Sequence, residues 1–110
     1  MSMMEINGYK AKIEYDSELD QFRGEILGLN GSADFYGKTP AGLKKEFKNS
    51  LKVFLEVCEE NGIEPVKNYS GKFNLRIPSR LHREIAAHAT AADKSINEWV
   101  SEVLSRSVNE

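Results

Sequence analysis

One hexapeptide constrains this chain more than any other stretch. Lys72-Phe-Asn-Leu-Arg-Ile77 alternates strictly, with Phe73, Leu75 and Ile77 on one face and Lys72, Asn74 and Arg76 on the other, and Pro78 ends the run. This pattern predicts a half-buried strand. Behind Ser79, which can cap a helix, Leu81, Ile85, Ala89 and Ala92 recur three or four residues apart until Asp93-Lys-Ser95 interrupts them. Ser95 or Asn97 then caps a second helix that buries Ile96, Trp99, Val100, Val103 and Leu104. Residues 70 to 110 therefore hold one strand and two helices, with no second strand to pair the first. About 40 residues without disulfides or metal cannot bury enough surface alone, and a lone strand leaves its backbone groups unpaired. The economical solution is a two-fold dimer whose strands pair antiparallel under four helices. Lys72, Asn74 and Arg76 of both chains then form the outer face of a two-stranded ribbon. Such a ribbon fits the major groove, where Lys or Arg reaches guanine and Asn pairs with adenine. A polar outer strand face is also what alternation alone demands, so the two helices that follow give the DNA reading its weight.

The chain upstream has a different grammar. Tyr9, Ala11, Ile13 and Tyr15 alternate with Lys10, Lys12 and Glu14, and Phe22-Arg-Gly-Glu-Ile26 resumes the pattern after a polar connection, which predicts an antiparallel hairpin. A short third strand is expected around Ala33 to Tyr36. Thr39-Pro40 supplies a cap and a first-turn proline for a helix of about 22 residues, with Leu43, Phe47, Leu51, Phe54, Leu55 and Cys58 inward and Gly62 at its end. That apolar stripe would cover the hairpin and give a small α+β layer. Gly62 to Gly71 carries two Gly and one Pro without periodicity and reads as a linker. Two modules are expected, residues 1–68 and residues 69–110.

Charge divides along the same line. The 110 residues carry a net charge of −2, but residues 1–68 hold nine Lys+Arg against twelve Asp+Glu, while residues 69–110 hold six against five. The first module is acidic and suited to a basic protein partner; the second groups Lys72, Arg76, Arg80 and Arg83 near its start. No apolar run exceeds three residues, far short of the ~20 a bilayer span needs. The first residues, Met1-Ser-Met-Met-Glu5, lack the marks of a leader, so a cytoplasmic protein with no membrane contact is expected.

With these residues in view, the chain resembles a known family. Ser70-Gly-Lys-Phe-Asn-Leu-Arg-Ile-Pro-Ser-Arg-Leu-His-Arg-Glu-Ile-Ala-Ala-His-Ala89, with Lys94-Ser-Ile-Asn-Glu-Trp-Val100, is similar to the ribbon-helix-helix domain carried by HicB-family antitoxins. Upstream, Tyr9-x-Ala-x-Ile-x-Tyr-Asp16, Phe22-x-Gly24, Phe35-Tyr-Gly37 with Thr39-Pro40, and Cys58-Glu-Glu-Asn-Gly62 resemble that family's N-terminal domain. The resemblance implies an α+β N-terminal domain, a partial ribonuclease-H-like fold, that covers the active site of a HicA-type mRNA endonuclease. It implies a C-terminal ribbon-helix-helix domain that dimerises and represses its own operon by binding operator DNA. In that fold the second helix start, with Lys94, Ser95 and Asn97, points its N–H groups at a DNA phosphate. The implied protein is not an enzyme and needs no cofactor. A solitary transcriptional regulator, whose N-terminal domain binds a small ligand or only oligomerises, is the alternative, and a nuclease a further rival.

Several catalytic or ligand motifs nearly form and fail. Gly31 to Thr39 resembles a phosphate-binding loop, but five residues separate its glycines where four are needed, and Pro40 removes an N–H donor. Asp16-x-Glu18-x-Asp20 lacks the glycine and the terminal glutamate of a calcium loop. The sequons at Asn30 and Asn68 lack a secretion signal. Glu14, Asp16, Glu18, Asp20 and Glu25 show no pattern that would converge on two metals, so an acidic surface is their expected role. His82 and His88, six apart, fall on opposite helix faces and share no metal. Trp99 reads as a core anchor, and Cys58 as a buried, inert thiol.

Overall fold

The computed structural model describes residues 2–109, which separate into two compact units between Ser70 and Gly71. The first unit is a four-stranded antiparallel sheet, β1 (Ser2–Ile6), β2 (Tyr9–Asp16), β3 (Gln21–Ile26) and β4 (Asp34–Gly37), in that spatial order, with one helix, α1 (Pro40–Glu60). The expected hairpin is β2 with β3, in a register that sets Ala11 opposite Ile26 and Ile13 opposite Gly24; β4 is the expected short third strand. β1 was not expected. Its residues place Met3, half exposed, on one face and Met4 and Ile6 on the other, so no alternation stands out. The signal lay in the turn. Asn7 and Gly8 have φ values of 52° and 83°, the two left-handed residues of a tight hairpin, and Asn-Gly is the pair that adopts them most readily.

Ile6, Ala11, Ile26 and Phe35 project from the sheet toward Leu43, Phe47 and Leu51 of α1, and the rings of Phe35 and Phe47 stack at 4.9 Å. The helix begins as its sequence requires: Thr39 Oγ1 accepts the Gly42 N–H at 3.0 Å, and Pro40 occupies a position whose N–H would have no partner. It ends at Asn61, with Gly62 left-handed at φ 63°.

The segment expected to be a linker is one only in part. Leu29 and Val66 form an antiparallel bridge, in which the Asn30 N–H donates to the Pro65 carbonyl at 2.8 Å and the Lys67 N–H to the Gly28 carbonyl at 3.0 Å. Main-chain pairing this short needs no side-chain periodicity, which is why Pro65 to Lys67 read as irregular. This bridge covers Leu29, which is buried.

The second unit contains α2 (Ser79–Ala91) and α3 (Ile96–Asn109). Ser79 is not the cap of α2, as expected, but its first residue. Pro78 holds the cap position; its side chain has no polar atom for a cap hydrogen bond, and its φ of −59° with extended ψ turns the chain into the helix. At the other end Ala92 closes α2: Asp93 is left-handed at φ 55°, its N–H reaches the Thr90 carbonyl at 3.0 Å, and the Lys94 N–H reaches the Ala89 carbonyl at 2.9 Å. That is the paired-bond stop that usually employs glycine. Residues 71–78 form no strand. The expected strand over Lys72 to Ile77 has no second strand to pair with among the described residues of one chain.

Candidate functional site

The candidate site grows from this segment. Phe73 is 76% exposed and Leu75 62%, and Leu81, Ile96 and Leu104 are exposed by two-fifths or more. Ala89 is the only buried hydrophobic residue among the described residues of the second unit. Exposed apolar residues are ordinary singly; here all of these but Leu81 line one open groove of about 520 Å³, together with Ile77, Ile85 and Val100. A unit whose apolar residues line a groove instead of filling a core is missing part of its core.

The polar residues singled out from sequence distribute around this groove. Lys72, Asn74 and Arg76 are exposed and alternate with Phe73, Leu75 and Ile77; Lys72, Asn74 and Asn97 lie along the groove, and Arg76 lies outside it. Ser95 is the cap of α3. Its Oγ accepts the Glu98 N–H at 3.1 Å and donates to the Glu98 carboxylate at 3.1 Å, while the Trp99 N–H bonds the Ser95 carbonyl at 3.0 Å. Asn97 is the second residue of the helix, not its cap. Lys94 is ion-paired with Glu102. The two glutamates were missed, although Ser95-x-x-Glu98 is a spacing that marks a helix start. Glu98 leaves the first two N–H groups of α3, those of Ile96 and Asn97, for an outside acceptor. Ser95→Ala should cost about 1 kcal/mol of stability, read as a lower midpoint in urea with an unchanged slope.

His88 and Trp99 rest ring against ring at 5.6 Å, joining α2 to α3, with Trp99 half-buried. Among the described residues no group of three or more His, Cys, Asp or Glu side chains could hold a metal. Cys58 is free and buried.

In the first unit, Glu14 and Glu25 are exposed on the sheet face turned away from α1 and Glu18 and Asp20 in the β2–β3 turn, and basic residues stand among them. Lys12 pairs with Glu14 at 2.8 Å and holds its carboxyl below the usual range, chiefly through the hydrogen bond between them. Arg23 pairs with Asp34 at 2.6 Å. Asp16 accepts the Glu18 and Leu19 N–H groups at 3.0 and 3.2 Å to build the β2–β3 turn, and Tyr15 donates to Asp20 at 2.5 Å. Most of these carboxylates serve the fold.

The HicB family model matches residues 54–104. The match runs from the last two turns of α1 through α2 and into α3, so over this stretch the chain is similar to the HicB family. No curated protein and no solved structure matches the chain. Among the described residues no helix is long and apolar enough to cross a membrane.

Proposed function

We propose that this chain is the antitoxin of a toxin–antitoxin pair. Its first unit binds and covers the active site of a HicA-type mRNA endonuclease, and its second unit, completed by a second copy as a ribbon-helix-helix dimer, binds operator DNA and represses its own operon. The observation that carries this reading is the unfilled groove of the second unit, along which Phe73 and Leu75 lie bare in a segment whose sequence alternates them with Lys72, Asn74 and Arg76. A second copy of that segment would pair its backbone, bury its apolar residues and set six polar side chains on a face of groove width. The match to the HicB family is consistent with the antitoxin role.

At the DNA the residues divide by task. Lys72, Asn74 and Arg76 read base edges, while Ser95 and Asn97 present the start of α3 to a phosphate with Lys94 beside it. Lys94 would share its charge between that phosphate and Glu102. Arg76→Ala should weaken operator binding by about 1–3 kcal/mol and relax base preference, whereas Lys94→Ala should weaken binding evenly over all sequences. Titration of both variants against the upstream DNA of the operon and a scrambled duplex, at fixed salt, separates the two; equal losses on both duplexes would defeat the assignment of the strand to base reading. Co-expression with the neighbouring reading frame tests the toxin arm, with a co-purifying small basic protein as the expected result.

A further inference from the structure

We infer that the toxin docks on the open edge of β4, adding a strand of its own to the sheet beside α1. This rests on the antitoxin reading and names the surface that performs it. The Ile26 N–H bonds the Ala33 carbonyl at 3.0 Å, which fixes the phase of the β3–β4 ladder. Ala33, Phe35 and Gly37 turn their main-chain groups toward β3; Asp34 and Tyr36 turn theirs outward. The Asp34 carbonyl accepts the Ser50 hydroxyl at 3.2 Å, so the Asp34 N–H and both main-chain groups of Tyr36 stand unpaired. They are a template for one more strand.

Beside that edge runs a groove of about 670 Å³ between β4 and α1, lined by Asn49, Val53, Phe54 and Val57. Val53 is 58% exposed and Val57 48%, on a helix whose other apolar residues face the sheet. An added strand would lay alternate side chains over these valines. Charge decides what kind of strand. Glu46 lines the groove, and Glu56 and Glu60 follow Val53 and Val57 by three residues on the same flank of the helix. Lys44, Lys48 and Lys52, four apart, hold the other flank. A second copy docked edge to edge would set Glu46, Glu56 and Glu60 against the same residues of its partner. The occupant is therefore a different protein, whose strand sets apolar residues over the valines and whose surface beside that strand carries lysine or arginine against the glutamates of α1.

These acids do not serve the helix. α1 has no acidic residue in its first turn and no basic residue in its last, and Glu56, Glu59 and Glu60 crowd the end where the helix dipole is already negative. The arrangement opposes the stability of the free unit, so a partner is the better reason for it.

The test uses the full chain and the product of the neighbouring reading frame. Binding should protect the Asp34 and Tyr36 amides from hydrogen exchange. Val57→Lys and Glu56→Lys should each weaken binding about tenfold, while Lys48→Glu on the far flank should change it less than about twofold. Glu60→Lys should raise the melting temperature of the free chain and still weaken the complex, a combination that a purely structural role does not give. Binding that survives Val57→Lys and Glu56→Lys and leaves both amides exchanging overturns this docking surface and spares the antitoxin reading. No binding by the wild-type chain overturns both.

Discussion

Leu75→Asp should leave the protein monomeric, its second unit without a cooperative thermal transition, and its affinity for operator DNA lost. Phe73 and Leu75 are 76% and 62% exposed in the single chain, and four such side chains would meet in the proposed two-fold pair. Full burial of a Leu or Phe contributes about 1.5–3 kcal/mol, so the four together supply on the order of 6–12 kcal/mol, the scale of a small domain's whole stability. Two aspartates at the centre of that seam would be desolvated and would face each other as like charges. The first unit should be unaffected, because Phe35, Phe47 and the rest of its core lie within residues 2–70. Sedimentation equilibrium reads the mass and calorimetry the two transitions. In the wild-type chain the second transition should shift upward with protein concentration, as folding coupled to assembly requires. Asn74→Ala, on the polar side of the same segment, should keep the dimer and lose only DNA affinity. A Leu75→Asp chain that remains dimeric would show that the groove is not the interface.

The parts of this fold legible in the sequence are those where one residue's chemistry has one structural use. Thr39-Pro40 starts α1 and Gly62 follows its end because a cap oxygen, a proline without an N–H and a left-handed glycine each fit few other places. β2 and β3 were legible from strict alternation against a covering helix. β1 was not, because its methionines fall on both faces, although Asn7-Gly8 announced the turn. The docking of Pro65 to Lys67 against Gly28 to Asn30 uses main-chain groups alone, which every sequence carries.

The candidate site was legible in its residues and not in its pairings. The alternation of Lys72 to Ile77 predicts a strand, and the single chain forms none there. Lys94 with Glu102 and Ser95 with Glu98 come together only once α3 is built. The acidic residues expected at the surface of the first segment, Glu14, Glu18, Asp20 and Glu25, are exposed, but their pairings with basic residues and the further acids of α1 were not legible. Lys12 and Arg23 answer two of the sheet's carboxylates, and the groove flank of α1 carries Glu46, Glu56 and Glu60.

Gly24→Ala should destabilise the first unit, although alanine in a strand is ordinarily better than glycine by roughly 0.5–1 kcal/mol. Gly24 pairs with Ile13 on one side and Phe35 on the other, and a Cβ placed on it would come closer than 3.0 Å to three carbons of the Phe35 ring. That ring is 3% exposed and stacked on Phe47, which is fully buried at the middle of α1, so it cannot retreat without moving the helix. Forcing a methyl group into such a site costs about 1–3 kcal/mol or more, which outweighs the backbone gain. For a unit of this size each kcal/mol is worth roughly 4–8 °C, so the first melting transition should fall by several degrees or more. Phe35→Leu alone should also destabilise, by opening space against Phe47. The two together should cost less than their sum, because the smaller side chain makes room for the new methyl group. A cycle of the three variants in urea measures that coupling. Strict additivity would mean that Gly24 is kept for its backbone, and coupling that it is glycine because Phe35 occupies the place of its side chain.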